Sequence, residues 1–218
     1  MTDLTLDPGL PPVITPPNPN PIMAFDPERT NNAQLMVDCH TLGYLTDNMR
    51  IFDATYGKGA FWNDWKPRNL QTNDINPNTD AWLNFDFTDL PFLDEQFNAV
   101  IFDPPYKLNG TPSGPMDDRY GVGIPRTVTE RLELILDGTD ECGRVSSNVL
   151  LIKLQDQVVS GNVRWMTRRV TEHIEREGWG DFKLVDELYV HSYRPQPAGT
   201  RQLHARRNYS TLLVFKRK

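Results

Sequence analysis

The stretch from Asn98 to Tyr106 constrains this chain more than any other. Ala99-Val100-Ile101-Phe102 make a short apolar strand, and Asp103-Pro104-Pro105-Tyr106 ends it at once, because neither proline can donate to a sheet ladder. A carboxylate and an aromatic ring are thereby left at a strand end. In open α/β sheets ligands bind at the carboxyl ends of the strands, so a rigid Asp-Pro-Pro-Tyr there is well placed to hold a flat polar group.

The segment before it reads as a cofactor-binding half. Met49 to Thr55 predicts a first strand, and Tyr56-Gly57-Lys58-Gly59 follows it, two glycines that let the backbone turn tightly before a predicted helix. Asn69 to Asn73 predicts the next strand, ending on Asp74, which lies 21 positions after Asp53 and is suited to accepting ribose hydroxyls. Ala81 to Phe87 predicts a third strand, with Asp86 near its end and Leu90 just beyond. The three-glycine dinucleotide fingerprint is absent, and no Gly-Lys-Ser/Thr follows Lys58 to make a phosphate loop.

Four aspartates at successive strand ends, the glycine loop and Asp-Pro-Pro-Tyr together resemble the S-adenosylmethionine-dependent amino-methyltransferases of nucleic acids. The resemblance implies a class I methyltransferase fold: a seven-stranded, mainly parallel Rossmann-like sheet with an antiparallel last strand and helices on both faces. It also implies S-adenosylmethionine as cofactor, with Asp53, Thr55, Gly57 and Gly59 around its methionine part and Asp74 on its ribose. Asp86 would bond the adenine amino group of the cofactor, and Phe87 or Leu90 would cover the adenine face. In the catalytic motif of Asp103, Pro104, Pro105 and Tyr106, the Asp103 carboxylate and the Pro104 carbonyl would accept the N–H groups of an exocyclic amine. Tyr106 would stack on the extruded base. The chain departs from the commonest pattern at Tyr56-Gly57-Lys58, where many members place Phe or Ser ahead of glycine.

Cofactor loop before catalytic motif excludes the permuted amino-methyltransferases, and Asp rather than Ser at position 103 resembles the adenine-modifying pattern. The expected reaction is methylation of adenine N6 in DNA, with RNA base methylation as the alternative. A non-catalytic nucleic-acid-binding subunit of the same fold is a further alternative, and the intact Asp103 and both cofactor glycines argue against it.

The remaining chain fits one domain. Met1 to Arg29 holds eight of the eighteen prolines and reads as an extended or disordered arm, so residues 31–218 make the expected single domain. Leu35, Met36, Cys39 and Leu42 predict a short helix at the sheet edge, and residues 107–124, rich in glycine and proline, predict a flexible lid. Thr127 to Leu136 reads as a capped helix, and Asn148 to Leu154 as a buried strand. Val163, Met166, Val170 and Ile174 line a helix ending at Gly178, and Phe182 to Val190 and Tyr209 to Phe215 are the last strands.

Cys39 and Cys142 lack metal-ligand spacing, so neither a zinc site nor a disulfide framework is expected. Without an apolar run of spanning length or a basic-then-apolar start, the expected location is cytoplasmic, with no membrane partner. The net charge of -6 is unevenly spread: His191 to Lys218 carries +7 and the preceding 190 residues -13. That basic end makes Arg201, Arg206 and Arg207 candidate phosphate contacts, and with no separate target-recognition region a partner chain or homodimer is one way to supply readout.

Overall fold

The computed structural model describes residues 21–105, 108, 127–178, 181–192 and 202–218. Residues 1–20 of the arm, Tyr106, Arg201 and, apart from Leu108, the predicted lid lie outside the described residues.

Six strands form one sheet in the order β2 (Asn69–Thr72), β1 (Arg50–Asp53), β3 (Phe97–Phe102), β4 (Ser146–Leu154), β8 (Tyr209–Arg217), β7 (Phe182–His191). β2, β1, β3 and β4 are mutually parallel, and β8 runs antiparallel to both its neighbours. The antiparallel last strand is as expected. The sheet has six strands among the described residues rather than seven, because Ala81 to Phe87 forms no strand and contributes a single bridge, Leu83 to Asn73. β2 is only four residues long, and the side chains after it capture the incoming chain before a ladder can extend. Thr72 Oγ1 accepts from Trp82 N–H, and the Asn73 side chain bonds both N–H and C=O of Phe85.

Both faces of the sheet are covered, and the side-chain period of two sorts the core into two layers. Phe52, Val100, Phe102, Leu150, Ile152, Leu213 and Phe215 point one way, under α2 (Val128–Val145), α3 (Met166–Glu172) and the π-helical turn His173–Gly178. Ile51, Ala99, Ile101, Val149, Leu151, Leu212 and Val214 point the other way, toward α1 (Asn32–Thr41) and a 3-10 turn, Ala60–Trp62. α1 starts on an Asn31–Gln34 capping box, and its Leu35, Met36 and Cys39 join the core of this second face, including the interior strands, rather than only the sheet edge. Thr127 caps α2 in the same way, and that helix runs on past Leu136. At Gly138 it lies so close to the sheet that an added Cβ would sit 2.5 Å from the Phe87 ring and 2.7 Å from the Phe102 ring.

The helix expected after the glycine loop is only the 3-10 turn. Gly59, in the left-handed region at φ 70°, and Pro67 bracket that segment, and the residue before a proline avoids helical geometry. Val163 belongs to a small antiparallel hairpin, β5 (Gln157–Val159) with β6 (Asn162–Arg164), not to α3. Residues 23–29 lie against β7, where the buried Arg29 side chain pairs with Asp38 at 2.6 Å and donates to the carbonyls of Met23, Ala24 and Tyr189.

Candidate active site

The register of the ladders decides which residues meet at the carboxyl edge. Asp53 pairs with Ile101, and Ile101 with Leu151. Two residues further on, Asp103 and Lys153 stand opposite each other on the face that also carries Asp53. The Lys153 ammonium lies 3.2 Å from each Asp103 carboxylate oxygen, with the two side chains 5% and 20% exposed. Burial pushes the Asp103 carboxyl above its usual range, and Lys153 opposes that shift.

Asp53 is fully buried. Its carboxylate accepts the Trp62 indole N–H at 2.7 Å and the Thr55 N–H at 3.1 Å. Desolvation raises its pKa to about 7, the two donors hold it down, and the negative charges of Asp103 and Asp74 push it further up. The Thr55 hydroxyl accepts the Asp103 N–H at 2.8 Å, so the glycine loop and the Asp-Pro-Pro turn are joined directly. Pro104 is buried and Pro105 half-buried behind Asp103.

Asp74 receives the Gly57 N–H at 2.7 Å and the Asn76 N–H at 2.9 Å, one on each oxygen, which leaves further lone-pair directions for hydroxyl donors. Gly57 is left-handed at φ 57°, and nothing lies within 4 Å of where a Cβ would stand, so open space meets the backbone there. Gly59 is different: a Cβ would fall 2.5 Å from the Tyr56 hydroxyl, so its role is to let the ring of Tyr56 fold over the loop. Asn73, buried, staples the arrangement. Its side-chain amide donates to the carbonyls of Ala54 and Phe85 and accepts the Phe85 N–H, while its backbone bonds Asp53 and Tyr56.

The other sequence-predicted residues sit apart from this cluster. Asp86 is exposed and caps its own turn through Thr88 N–H and hydroxyl. Phe87 is buried in the core, edge-on to Phe102 at 5.1 Å between centroids. Arg207 stacks its guanidinium on Trp165, 4.7 Å from the ring centroid, and its carbonyl accepts from the buried Gln155 side chain at 2.7 Å. Arg206 Nε donates to Asn208 at 3.4 Å. Gln157 reaches the backbone N–H of Leu108, so the hairpin at the end of β4 touches the chain just past the catalytic motif.

Lys153, Asn73 and Trp62 are residues of this candidate site that reading the sequence did not find. A lone lysine inside the apolar run Asn148 to Leu154 was the available signal, since a buried cation needs a partner.

No family model matches the chain, and no curated protein matches it. Among solved structures, N-methyltransferase NodS from Bradyrhizobium japonicum WM9 superposes with a TM-score of 0.51 at 10% identity, covering 85% of this chain and 93% of that one. Magnesium protoporphyrin IX methyltransferase ChlM from Synechocystis PCC 6803, solved with SAM bound, gives 0.50 at 11% identity, covering 86% and 78%. With TTHA0409 from Thermus thermophilus the TM-score is 0.40 at 15% identity, over 58% of this chain, which spans 47% of that protein's length. The sheet order, the antiparallel last strand and the first two superpositions define the class I methyltransferase fold.

Proposed function

We propose that this protein transfers a methyl group from S-adenosylmethionine to an exocyclic amine of a nucleic-acid base, with adenine N6 in DNA as the substrate. The observation that carries the reading is the junction of two loops at one sheet edge. The Gly57–Asp74 loop, open over Gly57, is bonded through the Thr55 hydroxyl to the backbone N–H of Asp103, whose carboxylate a proline pair follows.

The residues fit the cofactor. Asp53, Thr55, Gly57 and Gly59 would hold the methionine part, and the lone pairs of Asp74 that the Gly57 and Asn76 N–H groups leave free suit a ribose diol. ChlM holds SAM on this fold and NodS is an N-methyltransferase, which supports the cofactor and the reaction class. Bound there, the cofactor would supply an electrophilic methyl group for the amine nitrogen, with the C–S bond pair left on sulfur.

The chain's own part is to make a poor nucleophile competent. The lone pair of an exocyclic amine is delocalised into its ring. A carboxylate that accepts one amino N–H turns that lone pair out of the ring plane and offsets the positive charge that develops on nitrogen. In this reading Asp103 accepts that N–H, and its raised affinity for a proton suits it to take the one the nitrogen sheds. Tyr106, next but two in the chain, is assigned to stacking the base, and the basic end to phosphate contact.

The test is incubation with methyl-labelled cofactor and separate DNA and RNA pools, followed by digestion to nucleosides. Labelled N6-methyladenine from DNA is the expected product. Label confined to RNA moves the substrate, and cofactor and nucleic-acid binding without any transfer selects the non-catalytic subunit.

A further inference from the structure

The Asp-Pro-Pro-Tyr resemblance does not include Lys153, yet its ammonium contacts both carboxylate oxygens of the motif's aspartate. Its strand reads Val149-Leu150-Leu151-Ile152-Lys153-Leu154, and apart from Lys153 each of these residues is an apolar core residue. A buried ammonium in such a run is costly unless an anion faces it, and burying an ion pair for stability alone commonly gains nothing over an apolar replacement. The lysine therefore needs a reason beyond packing. The geometry provides one.

Both N–O distances are 3.2 Å, so the ammonium straddles the two oxygens and the carboxylate cannot tilt without weakening one contact. A carboxylate has about four lone-pair directions, and the lysine occupies those facing β4. The 20% of the Asp103 side chain that stays exposed is the part left for a donor arriving from outside. Two further carboxylates act on this edge, Asp53 from β1 and Asp74 from the end of β2, and Lys153 from β4 is the cation acting on Asp103. The Phe61 ring, 6.0 Å from Nζ, lies on the same core face.

We propose that Lys153 is a positioning residue for the transfer reaction: seated across the β3–β4 ladder, it keeps the Asp103 carboxylate ionised and aimed at the open side of the edge, ready to accept an amino N–H. The inference rests on the functional reading above and adds to it the residue that sets the pH range in which Asp103 works.

Lys153→Met, which keeps the stem and removes the charge, tests it, with Lys153→Gln as the milder variant should the first not fold and Lys153→Arg as the conservative one. The titration of the Asp103 carboxyl carbon, identified by its loss in Asp103→Asn, is followed by NMR beside the pH profile of kcat/KM. In Lys153→Met or Lys153→Gln both the midpoint and the acid limb move up by about one pH unit or more, while Lys153→Arg leaves them near the wild-type position. On the acid limb the loss falls on kcat, by up to about tenfold for each pH unit that the midpoint moves, with KM for the cofactor little changed. An unmoved midpoint in the charge-removed variant overturns the role of Lys153 even if wild type transfers methyl groups. Absence of transfer by wild type sinks the functional reading instead, and the NMR titration still decides whether Lys153 holds Asp103 ionised.

Discussion

The carboxyl ends of β3–β4 and of β2 place acidic groups at the same edge by different means. At β3–β4 the ladder does it: Ile101 pairs with Leu151, so two residues later Asp103 must face Lys153, and neither can move without breaking sheet register. At β2 the ladder stops after Thr72, and side chains take over. Asn73, Thr72 and Asp74 bond the returning chain from Trp82 to Phe85 and the glycine loop, replacing a third strand with a net of side-chain bonds. A group held by register can be altered without moving its surroundings, whereas a group held by a side-chain net carries its surroundings with it.

Asp103→Ala gives the largest expected effect and checks the register-held half. Turnover falls by about a thousandfold with cofactor affinity within a few-fold of wild type, measured by single-turnover kinetics and calorimetry, while the melting temperature drops because Lys153 is left buried without its anion. An active Asp103→Ala protein removes the mechanism.

Asn73→Ala checks the other half. Losing three side-chain hydrogen bonds, one buried and two part-buried, costs about 3 kcal/mol by denaturant titration and also weakens the cofactor, because the loop it staples carries Asp74. Reduced stability with cofactor affinity intact would show that the net supports the fold alone.

Asp53 gives a pH signature. Its folded pKa of about 7 lies above that of the unfolded chain, so between about pH 4 and 7 the folded protein keeps a proton that the unfolded chain has released, and stability falls as pH rises. Asp53→Asn, which has no carboxyl to titrate, flattens that fall, read from urea midpoints across pH.

Asp74→Ala and Gly57→Val each weaken cofactor binding, by about tenfold, with the sheet unaffected. Unchanged calorimetric affinity in both rejects the loop as the cofactor site.

The smallest effect tests the basic end. Arg206→Gln with Arg207→Gln lowers the salt slope of DNA binding by roughly one unit for each phosphate that the protein ceases to neutralise. Because Arg207 stacks on Trp165, the same change with an unaltered slope and a lower melting temperature assigns these arginines to structure.

What the sequence determined by itself is local. Apolar runs made β3 and β4 legible, the prolines after Asp103 marked where a strand must stop, and Thr127 announced the start of α2. The glycines after β1 were legible too, since only a tight turn requires them. Tertiary structure decided everything that depends on partners distant in the chain. Lys153 meets Asp103 across 50 positions because of ladder register, which no local pattern encodes. Ala81 to Phe87 has the composition of a strand, yet Asn73 and Thr72 take its backbone groups first, and Phe87, expected over a cofactor ring, turns into the core against Phe102. Propensity describes what a segment can pair with. Which partner reaches it first depends on the whole fold.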